Sequence, residues 1–168
     1  DPRIMATVLA EARLAMQLSH RHIVRLHNIE EVDGSYFLVM EYIGGPTLRT
    51  LLKEHGPLPL DTVRQVLDVC DDALSYAHRR TILHCDIKPE NLIITDDGVL
   101  KVIDFGIACL AVESARQRDA LCGTPYYLSP EEIRGTPLDC RTDIYSLGVV
   151  IHELLTGSLP DHAGDTLP

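Results

Sequence analysis

Four polar residues define the chemistry open to this chain. Asp86, Lys88 and Asn91 lie in the run His84-Cys85-Asp86-Ile87-Lys88-Pro89-Glu90-Asn91, directly after the short apolar run Thr81-Ile82-Leu83. Asp104-Phe105-Gly106 ends a second apolar run, and Asp104 stands thirteen residues past Asn91. Two carboxylates, an amide and an ammonium group at this spacing suit phosphate chemistry. Asp86 can receive a hydroxyl proton, Lys88 can neutralise a phosphoryl oxygen, and Asn91 and Asp104 offer the oxygens that hold magnesium. Either motif alone reads better as a loop with capping Asp and Asn residues. The pair at this separation favours the chemical reading.

Length and composition bound the possibilities. At 168 residues the chain can bury one real core, and 45% hydrophobic with 24% charged residues suits a folded domain rather than a disordered one. A net charge of -10 argues against nucleic-acid binding through phosphate contacts. Five cysteines, Cys70, Cys85, Cys109, Cys122 and Cys140, form no C-x-x-C pair or zinc spacing. An odd count without a framework suggests reduced thiols and a cytoplasmic setting. The longest apolar candidate, Tyr145–Leu155, is too short to span a bilayer and carries His152 and Glu153. No membrane contact is expected within this segment, and no signal peptide is visible. The chain begins at Asp1-Pro2, which suggests a piece of a longer protein.

The elements that must position these groups follow from periodicity. Residues 4–18 read as a helix with Ile4, Met5, Val8, Ala12, Ala15, Met16 and Leu18 on one broad arc. Glu11 falls inside that arc, where a carboxylate needs a cation or hydrogen bonds, or else stays wet at the rim. Ile23–Ile29 and Tyr36–Ile43 read as strands joined around Asp33-Gly34, a hairpin signal. Gly44-Gly45-Pro46 reads as a linker, and Leu48, Leu51 and Leu52 mark a short helix. Leu60, Val63, Leu67, Cys70, Leu74 and Ala77 predict a long amphipathic helix ending near His78. Leu92–Thr95 and Val99–Asp104 read as two short strands around Asp96-Asp97-Gly98. Residues 107–123 have no sustained period and read as a loop. Thr142–Thr156 reads as a buried helix with Asp143 in its first turn.

The order H-x-D-x-K-x-x-N, then D-F-G, then Gly123-Thr124-Pro125-Tyr126-Tyr127 and Ser129-Pro130-Glu131, resembles the serine/threonine protein kinase domain, possibly of the bacterial eukaryotic-like kind. The likeness runs across nearly all of the chain, from the family's C helix to its buried F helix. It implies an α+β, two-lobed fold in truncated form. Residues 1–43 would be a partial N-lobe and hinge, and residues 44–168 most of a mainly helical C-lobe. It also implies transfer of the γ-phosphoryl group of ATP, with Mg2+, to Ser/Thr hydroxyls of a protein substrate. Asp86, Lys88 and Thr124 would be catalytic, Thr124 bridging the other two. Asn91 and Asp104 would hold the metal. Glu11 would pair the ATP-binding lysine, Met40 would be the gatekeeper, and Glu41 and Ile43 the hinge that meets adenine. Ile93 would sit under the adenine, and Thr47 falls where the family often places a ribose contact. Ala15, Leu26, His84 and Phe105 match the stacked residues that couple the lobes, and Asp143 the acid that fixes the catalytic loop.

Three departures qualify the resemblance. The 168 residues contain no Gly-rich phosphate loop and no strand lysine before Glu11. They also lack the family's last helices, with the arginine that pairs Glu131. An isolated chain of this composition is therefore expected to have little or no activity. Cys85 replaces the arginine that usually precedes the catalytic Asp and receives an activation-loop phosphate. Between Ile107 and Gly123 the only hydroxyl is Ser114, so activation is not expected to use a phosphate docked beside Asp86. Cys85 reads first as a small packed residue and second as a redox switch. Two other readings are a small-molecule phosphotransferase of kinase-like fold, which the peptide-presenting segment disfavours, and a non-catalytic pseudokinase scaffold, which the four intact polar residues disfavour.

Overall fold

The computed structural model describes residues 9–10, 12–105 and 125–161. Glu11, Gly106, Ser114 and Thr124 lie outside the described residues. Residues 12–15 are helical, and Ala12, Ala15 and Leu18 are buried, as the apolar arc requires.

Strands β1 (Leu26–Val32) and β2 (Ser35–Met40) form an antiparallel hairpin. Asp33 and Gly34 both have positive φ, at 50° and 76°. A two-residue turn of that kind follows the right-handed twist of the strands, which is why Asp-Gly marks it in sequence. The first strand starts three residues later than its pattern predicts. Ile23 makes only an isolated parallel bridge to Val102, and a register shift between Leu26 and Asn28 interrupts the ladder.

Gly45 makes the linker possible. Its φ is 126°, and a Cβ there would stand 2.0 Å from the carbonyl oxygen of Ile94. The chain thus passes against the strand that follows the catalytic run, and the Ile94 N–H donates to the Pro46 carbonyl at 3.0 Å. Helix α1 (Leu48–His55) begins at Thr47, whose hydroxyl accepts from the Thr50 N–H at 3.1 Å.

Helix α2 (Leu60–His78) buries Val63, Val66, Cys70, Ala73, Leu74 and Ala77. Strands β3 (Leu92–Ile94) and β4 (Leu100–Val102) form a second small antiparallel sheet, each shorter than its pattern. Beyond Val102 the chain leaves the ladder, because Asp104 takes a left-handed φ of 65°. After a single 3-10 turn at Pro125–Tyr127, helix α3 (Pro130–Arg134) opens with a capping box between Ser129 and Glu132.

Helix α4 (Cys140–Thr156) packs on α2 and buries Leu147, Val150 and Leu154. The helix expected to be buried is covered along the face that carries Thr142, Asp143, Ser146, Leu147, Val150 and Leu154. Ile144 is 58% exposed and Leu155 39%, so only one side faces the core among the described residues. That core joins α2, α4, β3, β4 and the catalytic run through Leu48, Ile87, Leu92 and Val102, all almost fully buried.

Candidate active site

The run from His84 to Asn91 is held by groups that converge on it from distant parts of the chain. Asp143, fully buried in the first turn of α4, accepts from the backbone N–H groups of His84 at 2.9 Å and Cys85 at 2.8 Å. Its Oδ2 also lies 2.7 Å from His78 Nε2 at the end of α2. Burial alone would raise the Asp143 carboxyl, but the His78 hydrogen bond, neighbouring His84 and the two N–H donors hold it below the usual carboxylate range. One buried acid thus ties two helices to the loop.

His84 supports the same run from inside. Its ring is fully buried, with Nε2 at 2.8 Å from the Ile103 carbonyl and Nδ1 at 3.2 Å from the Asp86 N–H. The carbonyl needs a donor and the N–H needs an acceptor, so the imidazole is neutral with its proton on Nε2. Burial pushes its pKa below the ordinary histidine value, against the pull of Asp143. A buried ring with both nitrogens engaged is not poised as an acid–base catalyst. It packs edge-on against Phe105 at 4.6 Å, and Phe105 lines a narrow apolar cavity with Ala15, Leu26, Met40 and Asp104. Of the four residues read as a stack, His84 touches Phe105, and Ala15, Leu26 and Phe105 line the same cavity.

Asp86, Lys88 and Asn91 come together. Lys88 Nζ is 2.6 Å from Asp86 Oδ2, and Asn91 Nδ2 donates to that same oxygen at 2.9 Å and to the Asp86 carbonyl at 2.8 Å. The amide nitrogen is therefore spent on orienting Asp86, which leaves the Asn91 side-chain oxygen with no donor among the described residues. The Asp104 carboxylate likewise has no hydrogen-bond donor there. Burial raises its pKa, with the Asp86 charge adding to the effect against His84 and Lys88. A carboxylate and an amide oxygen, both without donors, fit a hard oxygen-seeking cation such as Mg2+.

Cys85 and Asp104 both have left-handed backbones, at φ 62° and 65°. Non-glycine residues adopt this region rarely, and the hydrogen bonds that Asp143 accepts from the run hold the first of them there. Cys85 is buried and disulfide-bonded, its partner outside the described residues, whereas Cys70 and Cys140 are free thiols. This corrects the expectation that all five thiols are reduced. Pattern reading looked for paired motifs and could not see a bond set by tertiary approach. Burial pushes the Cys70 thiol up to about 12, so it is inert.

On the other side of the cleft the groups are placed more loosely. Met40 ends β2 and is 37% exposed. The Glu41 N–H donates to the Arg25 carbonyl at 2.9 Å, so only its carbonyl is left for a ligand. The Glu41 carboxylate pairs with Lys101 and accepts from the Arg25 N–H at 3.0 Å. Ile43 and Ile93 are half-buried, and Ile93 bridges Thr47. The Thr47 hydroxyl is engaged as the α1 cap.

A network missed in the sequence lies below Asp86. Arg49 of α1 bonds Glu90 at 2.7 Å and Glu153 at 2.6 Å, and meets the Tyr127 hydroxyl at 2.5 Å. Tyr127 also donates to Glu153 at 2.5 Å. The burial of Arg49 would lower its pKa, but the Glu153 and Glu90 hydrogen bonds raise it. The signal was available: Glu153 is a lone acid on an apolar helix face and requires a cation.

Comparisons with known proteins bear on the family and the fold. The protein kinase domain family model matches residues 2–166. Serine/threonine-protein kinase PknL of Mycobacterium tuberculosis is 43% identical over 162 residues, which is 95% of this chain and 40% of the relative. Serine/threonine-protein kinase PrkC of Bacillus subtilis is 40% identical over 151 residues, 89% of this chain and 23% of the relative. The chain therefore spans less than half the length of these relatives. The crystal structure of Rad53 residues 1–466 in complex with AMP-PNP superposes with a TM-score of 0.77 at 33% identity, covering 94% of this chain and 40% of that one. The family match spans the anchored catalytic run, the Asp104 turn and the helix that supplies Asp143, and this chain belongs to the protein kinase domain family.

Proposed function

We propose that the protein of which this chain forms part is an ATP-dependent serine/threonine protein kinase. The observation that carries this reading is the convergence of Lys88 and Asn91 on Asp86, beside an Asp104 carboxylate that has no donor among the described residues. Asp86 faces the acceptor hydroxyl and takes its proton. Lys88 balances charge on the transferring phosphoryl group. Asn91 and Asp104 would hold Mg2+, which supplies charge neutralisation on the phosphates. Met40, Glu41, Ile43 and Ile93 form the adenine side. Glu11 and Thr124 keep their assignments from the family motif, as partner of an ATP lysine and bridge between Asp86 and Lys88. Residues 1–43 then belong to the N-lobe and 44–168 to the C-lobe.

The substrates are proteins with Ser/Thr acceptors rather than nucleic acid, consistent with the acidic net charge. No helix among the described residues is long and apolar enough to cross a membrane. A cytoplasmic setting is the reading that ATP as donor supports, and thiol counting on protein taken directly from cells tests it.

The test is phosphotransfer by the full-length protein to peptides, sugars and aminoglycosides. Peptide phosphorylation is expected, with Asp86→Asn lowering kcat roughly 10²–10⁴-fold at unchanged melting temperature. Sugar or aminoglycoside phosphorylation would favour the small-molecule phosphotransferase reading, and wild-type rates in the variant would favour a scaffold. The isolated 168-residue chain, which contains no Gly-rich loop, is expected to show little turnover.

A further inference from the structure

We propose that an open cleft on the outer face of the segment 19–25 binds the phosphoryl group of a phosphorylated peptide. The cleft measures about 280 Å³ and is lined by Ser19, His20, Arg21, Ile23, Arg25, Glu41 and Lys101. It is separate from the catalytic run, none of whose residues line it.

The backbone places its charges. Arg21 lies in a turn closed by the Ile23 N–H on the His20 carbonyl at 3.1 Å, Arg25 lies just before β1, and both line the cleft. The stretch between them is fixed by hydrogen bonds to β4, from the Val102 N–H to the His22 carbonyl at 2.8 Å and from the Val24 N–H to the Val102 carbonyl at 2.9 Å. One wall is rigid. His20 stacks on Tyr76 at 4.9 Å and pairs with Asp72 at 3.2 Å, and the Ser19 N–H donates to the Tyr76 hydroxyl at 3.2 Å.

The charges of the cleft do not cancel. Glu41 is the lone acid in the lining, and it is matched by the Lys101 ammonium. Arg21 and Arg25 are exposed, and neither guanidinium has a hydrogen bond or ion pair among the described residues. Two unspent guanidinium forks on a chain of net charge -10 form a local site of the opposite sign. Guanidinium forks bind tetrahedral oxyanions in bidentate fashion, and a phosphoserine or phosphothreonine carries close to two negative charges at pH 7. A peptide-borne phosphate is favoured over a free one because the cleft is open to solvent, which leaves room for the residues that flank the phosphate.

The experiment is anisotropy titration of the chain, without nucleotide, using one fluorescent serine peptide in phosphorylated and unmodified forms. The phosphorylated form is expected to bind at least tenfold tighter. The variant Arg21→Gln/Arg25→Gln is expected to erase that difference at an unchanged melting temperature, since both side chains are exposed. Arg21→Lys/Arg25→Lys is expected to recover part of it, because lysine keeps the charge but not the fork. Equal affinity for both peptides, or phosphopeptide binding that survives the glutamine variant, overturns the proposal. Displacement of the peptide by inorganic phosphate at the peptide's own affinity also overturns it, since the site would then read a free anion. Binding is measured without phosphoryl transfer, so the result stands apart from the kinase reading.

Discussion

The two sides of the cleft are built differently. On the phosphate side, the run from His84 to Asn91 is pinned by buried Asp143 of α4, which His78 of α2 holds in turn, and by the Ile103 carbonyl just past β4. On the adenine side, the β1–β2 hairpin is held mainly by its own ladder among the described residues. Leu26 is buried, but Val32, Tyr36, Phe37, Val39 and Met40 are all at least 37% exposed. Phosphoryl transfer demands charged groups placed to within fractions of an ångström. Adenine needs an apolar slot and one or two backbone groups, which a compliant hairpin can offer. The difference teaches that, within this chain, the phosphate side contains its own supports while the hairpin leaves apolar side chains uncovered.

The strongest way to break that comparison is to remove the anchor. Asp143→Ala leaves two buried N–H groups without an acceptor and His78 without its partner. It is expected to cost about 3–5 kcal/mol in a denaturant titration. A loss below about 1 kcal/mol would mean the catalytic run keeps its shape unaided, and the contrast between the two sides would fail. Next in size is Arg49→Met, which strips the cation from buried Glu153. Arg49 is partly exposed and Tyr127 still reaches Glu153, so a smaller cost of about 2 kcal/mol is expected. Replacing both, Arg49→Met with Glu153→Leu, is expected to regain most of it. No recovery in the double variant would show that the two act independently.

A pH titration sharpens the contrast further, because the pinned side contains a buried titratable ring. The folded state lowers the His84 pKa through burial, so folding favours the neutral form. The unfolded chain takes up a proton near pH 6.5. His84 therefore contributes stability that is present above about pH 6.5 and lost as pH falls from there through its folded value. The midpoint of denaturation should drop between pH 7.5 and 5.5, and His84→Gln should flatten that drop. An unchanged slope in the variant would assign the effect to other groups.

The sequence revealed the phosphate side more fully than the rest. Asp86, Lys88, Asn91 and Asp104 were legible because their types and spacing follow the family motif, and the fold brings Asp86, Lys88 and Asn91 together. The amphipathic helix Leu60–His78 was legible because its buried face repeats with the helical period. Strand limits were not: Ile23 belongs to the β4 neighbourhood rather than to β1, a choice made by tertiary pairing. The exposed side of α4 was hidden because Ile144 and Leu155 are apolar whether or not they are covered. Arg49 was missed because its three partners, Glu90, Tyr127 and Glu153, lie 41, 78 and 104 residues away. The Cys85 disulfide and the cleft between Arg21 and Arg25 depend on approach in space, which no local pattern encodes.

The smallest effect tests the other half of the comparison. Phe37 lies in β2 opposite Glu30, and its ring is 53% exposed. An aromatic ring in a buried core costs about 3–5 kcal/mol to remove. A surface ring on a two-stranded ladder contributes only its cross-strand contact. Phe37→Ser is therefore expected to change the stability of this chain by no more than about 0.5 kcal/mol, or a degree or two in Tm. Leu26→Ala, at the buried end of the same hairpin, is expected to cost more than Phe37→Ser in parallel denaturant titrations, because its side chain lines the apolar cavity with Phe105. If Phe37→Ser proved as costly as Leu26→Ala, the hairpin would be packed along its whole length. The adenine side would then be as firmly held as the phosphate side.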